Sequence, residues 1–162
     1  MDGKLRLMTA VYITRGEDML LLYRVGSRVV APSWCGGGGH FEQGELNDAR
    51  ACVLRELREE TGLTEGDLTG LTMRYCCMRL KNEEVRQNYY FFAELRPQAQ
   101  LPDACAEGNL AWVPYGELLQ KPMPHTAYYT IKHYLETGRH TDVLYAGATR
   151  EDEVVFTPLN EF

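Results

Sequence analysis

No stretch of this chain approaches the ~20 consecutive apolar residues that a helix needs to cross a membrane. The longest apolar run near its start covers only residues 8–13. Neither a secretory leader nor a membrane anchor is expected, and the expected location is the cytoplasm. Cysteine is sparse and odd in number: Cys35, Cys52, Cys76, Cys77 and Cys105. No CxxC pair and no zinc-ligand spacing occurs among them, so free thiols in a reducing compartment are expected rather than a disulfide scaffold. Positive charge is in deficit. Seventeen Lys and Arg against 23 Asp and Glu leave a formal net charge of −6, which argues against a binder of nucleic-acid polymers, since that function needs a basic face. Internal repeats, low-complexity tracts and Pro/Ser-rich linkers are also missing. The 162 residues, 44% apolar and 25% charged, therefore read as one globular domain spanning 1–162, long enough to bury a core.

What is present alternates between strand and helix signals. Residues 5–14 and 19–25 are rich in apolar and β-branched side chains and flank the turn signal Gly16-Glu17-Asp18, which predicts a hairpin. Residues 27–33 read as a loop, followed by Trp34, Cys35 and the run Gly36, Gly37, Gly38, Gly39. Four consecutive glycines mark a close approach by backbone or ligand. A helix is predicted from an N-cap at Asn47 or Asp48 to about Thr61, with Gly62 as its stop. Strands follow over 71–80 and 84–95, then a polar loop over 98–109 and a short strand over 111–113. One helical turn is expected at 115–119, a helix over 126–137, and a last hairpin from 143–145 and 154–156. The sum is an α/β arrangement, a mixed β-sheet sandwiched between α-helices with a C-terminal hairpin.

The densest chemistry lies in residues 39–63. Glu56, Glu59 and Glu60 stand three and four positions apart, so a helix projects them together, with Glu45 a short way upstream. Carboxylates that close repel one another, and a hard divalent cation is the natural counter-charge because it prefers carboxylate oxygens. On a helical wheel Val53, Leu54, Leu57 and Thr61 share one sector and the three glutamates the next, so one flank is expected on the core and the carboxylates in a cleft.

Gly39, Glu45 and the run Arg55, Glu56, Leu57, Glu59, Glu60, Gly62, Leu63 resemble the Nudix box. One departure is that nine residues, not seven, separate Glu45 from Arg55. Two extra residues inside the helix would turn everything after them by about 200°, so the insertion belongs in the loop ahead of it, around Leu46 and Asn47. The resemblance implies the Nudix fold and a pyrophosphohydrolase that uses Mg²⁺, with Mn²⁺ as a substitute ion. It implies Glu59, Glu60 and the Gly39 carbonyl as metal ligands, Glu56 as a ligand or the general base, and Arg55 as the group that orients a glutamate. By its place five residues before Trp112, Glu107 would supply a further ligand, as an acidic loop residue does in MutT-like nucleotide hydrolases.

The segment from Trp34 through Gly38 to His40 resembles the substrate segment of MutT-like enzymes acting on oxidised purine nucleotides. Cys35 stands where those enzymes often carry an asparagine that contacts the base, and His40 where they carry a lysine near the phosphates. His40 would donate to phosphate when protonated. Arg24 has a fork suited to phosphate and reads equally well as a surface cation. In place of an acidic pair after Pro124 the chain has His125 and Thr126, so the base is read through these or through backbone groups, or an oxidised base is not selected at all. Alternate residues of Tyr89, Tyr90, Phe91 and Phe92 face opposite ways; one pair is expected in the core and the other is free to stack on a base. The expected substrate is a small nucleotide, a nucleoside triphosphate such as 8-oxo-dGTP. ADP-ribose or another nucleoside diphosphate derivative is the alternative, and a sensing domain without catalysis is the third. A homodimer is compatible with the final hairpin.

Overall fold

The computed structural model describes residues 4–26, 31–102, 104–105 and 108–160. Their strands form a nine-stranded mixed sheet, with β1 (Lys4–Arg15) and β5 (Glu84–Leu95) at its centre. These two pair in parallel from Lys4 opposite Glu84 to Thr14 opposite Glu94. The order across the sheet is β6 (Ala104–Cys105), β7 (Gly108–Pro114), β2 (Asp18–Arg24), β1, β5, β4 (Leu68–Lys81), β8 (Leu144–Arg150), β9 (Glu153–Leu159). The short β3 (Ser33–Cys35) attaches to β2.

Strand alternation divides the core in two. Val11, Ile13, Leu20, Phe91 and Ala93 face Val53 and Leu57 of α1 (Ala49–Thr61). Tyr12, Leu21, Tyr75, Tyr90 and Phe92 face Ile131 and Tyr134 of α3 (His125–Glu136), with Leu118 of the short α2 (Tyr115–Leu118) beside them. Helices thus cover both faces, and the architecture is the α/β sandwich expected. The aromatic run is almost wholly absorbed by packing. Tyr90, Phe91 and Phe92 are buried, and Tyr89 leans on Phe41 at a ring separation of 5.5 Å. No pair of that run is left to stack on a base, because the sheet is covered on both sides where it passes through.

Three elements differ from expectation. Residues 33–35 pair with β2 as a strand. The stretch expected as a polar loop over 98–109 contains β6 and the start of β7, a strand running from Gly108 rather than residue 111. Polar edge strands show little alternation, so their pairing comes from the neighbouring strand. The final hairpin is also longer than its apolar residues suggest, and it pairs with β4 of the same chain. Gly147, which falls between the two expected strands of that hairpin, lies inside β8. A Cβ there would sit 2.6 Å from Cys77 Sγ, so only glycine lets β8 close against β4. Residues 161–162 lie outside the described residues.

Candidate active site

Helix α1 begins at Asp48, whose side chain accepts the Ala51 N–H at 2.9 Å, and ends at Gly62 in a left-handed conformation, its N–H bonded to the Arg58 carbonyl. The two extra residues lie ahead of it, where a turn of 3₁₀ helix (Gln43–Glu45) leads into Leu46 and Asn47. The helical phase of residues 55–60 is therefore undisturbed.

Arg55 organises the carboxylates. Its Nε and Nη2 donate to the two oxygens of Glu45 at 2.7 and 3.0 Å, and its Nη1 to Glu56 at 2.9 Å and Glu59 at 3.1 Å. Nη2 also reaches the His40 carbonyl at 3.0 Å. The expectation of one oriented glutamate understates this: three carboxylates and the glycine segment hang on a single guanidinium. Glu45 is the partner that the fork grips with two bonds. The hydrogen bond from Arg55 holds the Glu45 carboxyl down at about 2, against an opposing effect of burial. Glu45 matches the front of the box in the sequence but receives no role there, because its gap to Arg55 is two residues longer than the pattern.

Glu60 departs from its expected place. Counting i, i+4, i+7 from Val53 brings Leu57 and Glu60 onto one buried stripe, so Glu60 points under the glycine segment, its side chain only 2% exposed. There it accepts Arg24 Nη2 at 2.6 Å and the Gly38 N–H at 2.8 Å, while Arg24 Nη2 also donates to the Gly38 carbonyl at 2.6 Å. Arg24, which in the sequence reads equally as a phosphate fork or a surface cation, pins Gly38. Gly38 itself has φ +146°, and a Cβ on it would lie 2.2 Å from the Thr9 carbonyl oxygen. Close approach to β1 explains this glycine without a ligand. Glu59 is the outermost carboxylate, 59% exposed, and Glu56 is nearly covered at 13%. The Gly39 carbonyl accepts the Thr9 N–H at 2.8 Å, which leaves one of its lone pairs for another donor or an ion.

The expected substrate-reading residues fall into two groups. His40 lies beside the box, its Nε2 3.4 Å from Arg6 Nη1. Partial burial and the Arg6 charge lower its pKa, so the ring is neutral at neutral pH and suited to accept from Arg6 rather than to donate as a cation. The expected donation to phosphate belongs to the protonated ring, a form this environment disfavours. Trp34, Cys35, His125 and Thr126 lie on the α3 side. The Trp34 backbone N–H donates to the Pro122 carbonyl at 2.8 Å and its ring packs on Tyr23, while Cys35 Sγ donates to the Leu22 carbonyl at 3.6 Å. Thr126 is buried in the first turn of α3, next to His125, whose ring lies 5.0 Å from that of Tyr129. Glu107 lies outside the described residues. No disulfide joins the five cysteines among the described residues; burial pushes the Cys52 thiol up to about 11 and Cys77 to about 12, so neither ionises at neutral pH.

The NUDIX domain family matches residues 4–134, most of the chain. This protein belongs to the Nudix family. Solved structures share its fold at low identity. A mutator MutT protein from Bacillus halodurans is 23% identical, with 97% of this chain and 99% of that one covered at a TM-score of 0.68. The E. coli ORF135 protein is also 23% identical, covering 86% and 96%, at a TM-score of 0.62. A C. elegans Ap4A hydrolase is 16% identical, covering 85% and 99%, at a TM-score of 0.66.

Nudix hydrolases generally use divalent metals, and the donors here suit a hard cation in chemistry: every candidate is a carboxylate or carbonyl oxygen. Among the described residues the acidic groups are not gathered into a ligating cluster of three, because Arg55 and Arg24 occupy the positions between them. Glycine at position 39 makes room for one of these carboxylates. A Cβ on Gly39 would lie 2.5 Å from a Glu56 carboxylate oxygen, so glycine is what lets that carboxylate stand against the loop carbonyls. Gly39→Ala is therefore expected to push the Glu56 carboxylate aside. Because the obstructing atoms are the end of a flexible side chain, the melting temperature should shift little while turnover drops by about tenfold or more. Thermal melts beside steady-state rates would show it, and unchanged turnover would count against this placement of Glu56.

Proposed function

We propose that this Nudix hydrolase splits a nucleoside triphosphate, including an oxidised purine triphosphate such as 8-oxo-dGTP, into monophosphate and pyrophosphate with Mg²⁺. The observation that carries the reading is the Arg55 clamp, which holds Glu56 and Glu59 on one guanidinium, with Glu56 packed against Gly39. Glu56, Glu59 and the Gly39 carbonyl are the proposed donors to the metal; Glu60, which the resemblance also implies as a ligand, is held under the glycine segment by Arg24 and the Gly38 N–H. The bound ion would neutralise phosphate charge and lower the pKa of a water. Glu56, nearly covered and oriented by Arg55, takes the proton of the attacking water. Glu60 and Arg24 keep the glycine segment in register with β1. Neutral His40 accepts a hydrogen bond rather than delivering charge.

The base is the less determined half of the substrate. Cys35 stands in place of the base-contacting asparagine, and His125 and Thr126 in place of the acidic pair. Both departures remove groups that would single out an oxidised base, which favours a second reading: a nucleoside diphosphate derivative such as ADP-ribose, cleaved by the same residues. A turnover screen with Mg²⁺, pH neutral to alkaline, against ordinary and oxidised triphosphates and ADP-ribose separates the two. Pyrophosphate release supports the first, and AMP with ribose 5-phosphate supports the second. No triphosphate turnover anywhere in that range would end the first reading.

A further inference from the structure

The α3 face of the sheet carries positive charge that the carboxylate clamp does not use. Strand register places Arg6 of β1 opposite Arg86 of β5, and Arg86 opposite Arg79 of β4. Alternation puts all three on the face of Tyr12, Tyr90 and Cys77, the one α3 covers. One step along, Lys4 and Lys81 lie opposite Glu84 on that same face. Five cations thus gather around Glu84, with Asp152 the acidic group at the His125 end, in a chain whose net charge is −6. Like charges directly opposite one another destabilise a sheet, and Glu84 relieves only part of this, taking Arg86 Nε at 2.5 Å and Arg6 Nη2 at 3.2 Å. Arg79, half-buried, makes no hydrogen bond or ion pair among the described residues.

Both ends of this row touch features of the site. At one end, Arg6 meets His40, whose carbonyl is held by Arg55. At the other, two buried polar atoms lack a partner among the described residues: His125 Nε2 and Thr149 Oγ1. Burial lowers the pKa of His125, the nearby Arg79 charge lowers it further, and Asp152 opposes both. Thr149 follows Ala148, which pairs with Met78, the residue before Arg79. Buried polar atoms without partners point to a missing hydrogen-bonding group. From Arg6 to Arg79 the row crosses two strand spacings, about 10 Å, leading away from the β1 edge on which the glycine segment is bridged.

We propose that Arg6, Arg86 and Arg79 form an anion-binding strip that holds a phosphate of the substrate other than those cleaved at the carboxylate clamp. The proposal rests on the hydrolase reading only for the word substrate. A guanidinium row suits phosphate oxygens because each fork offers parallel donors. Two sources supply that chemistry: the far end of a 5′ phosphate chain, or a phosphate on the sugar.

The test is calorimetric titration of the whole chain in EDTA with inorganic triphosphate, GMP, GTP and guanosine 3′,5′-bisphosphate. Arg79→Gln and Arg86→Gln should each weaken inorganic triphosphate by about tenfold. Arg139→Gln, which removes the same charge from an exposed site, should change it by less than about twofold. A larger loss for GTP than for GMP assigns the strip to the phosphate chain. A larger loss for the bisphosphate than for GMP assigns it to a sugar phosphate. Equal losses for all three nucleotides, or none, overturn the proposal. Melting supplies a second readout: removing Arg79 relieves repulsion, so its variant should melt no lower than the parent, and a lower melting temperature with intact affinity would make the row structural and overturn the proposal. The titrations require no turnover. Row-dependent binding without any hydrolysis would therefore remove the activity reading and leave the strip standing.

Discussion

Glu56→Gln should lower kcat by about 10³-fold, the middle of the range for losing a positioned proton acceptor. The substitution keeps the oxygen that accepts Arg55 Nη1 and removes only the charge and the basic site. Glu56 is also the carboxylate against which Gly39 leaves no room for a Cβ, so it cannot be replaced in place by a neighbour. Stability should hold or rise slightly, because Glu45, Glu56 and Glu59 crowd a single guanidinium and one less negative charge eases that crowding. Single-turnover rates with Mg²⁺, beside a thermal melt, measure both. A variant retaining more than about a tenth of parental kcat would exclude Glu56 as the proton acceptor. Glu59→Gln should act more mildly, raising the Mg²⁺ concentration needed for half-maximal rate, since Glu59 is the exposed member of the set.

Arg55→Ala should be the most damaging change to stability in the site. It removes the donors to Glu45, Glu56, Glu59 and the His40 carbonyl together and leaves three carboxylates repelling one another. Arg55 is 22% exposed, between the cases in which such a pair is worth almost nothing and those in which breaking it costs several kcal/mol. A loss of about 2 kcal/mol follows, or roughly 4–8 °C in melting temperature for a chain of this size. The pH dependence gives an independent check. Glu45 has its carboxyl at about 2 in the fold against an ordinary 4.5. Its contribution is thus fully present above about pH 4.5 and disappears as pH falls through about 2. In Arg55→Ala that acid-side decline should flatten, because Glu45 regains its ordinary pKa. An Arg55→Lys variant should recover little, since a point charge cannot span three carboxylates. If Arg55→Ala melts like the parent and keeps its acid-side slope, the clamp is not what holds these groups.

Local spacing wrote α1 into the chain. Asp48, Gly62 and the three-and-four spacing of the glutamates act within a few residues, and they placed the helix and the carboxylates before any fold was known. The same holds for the long strands β1, β4 and β5, whose apolar content is their own. The destination of each polar side chain was another matter. The i+7 relation of Val53 and Glu60 is visible in the sequence, yet nothing local says that Arg24 will arrive from β2 to meet Glu60, 36 positions away. Arg6, Arg86 and Arg79 become neighbours only through the parallel register of β1 with β5 and the antiparallel register of β5 with β4. Strands β3 and β6 and the glycine inside β8 exist as strands because of what lies beside them. Backbone preference and side-chain period are properties of short segments, so the sequence alone determined the helix, the main strands and the family. Register and burial depend on contacts between distant segments, so only the tertiary structure decided which carboxylate is buried, which arginine holds it, and where the unspent positive charge lies.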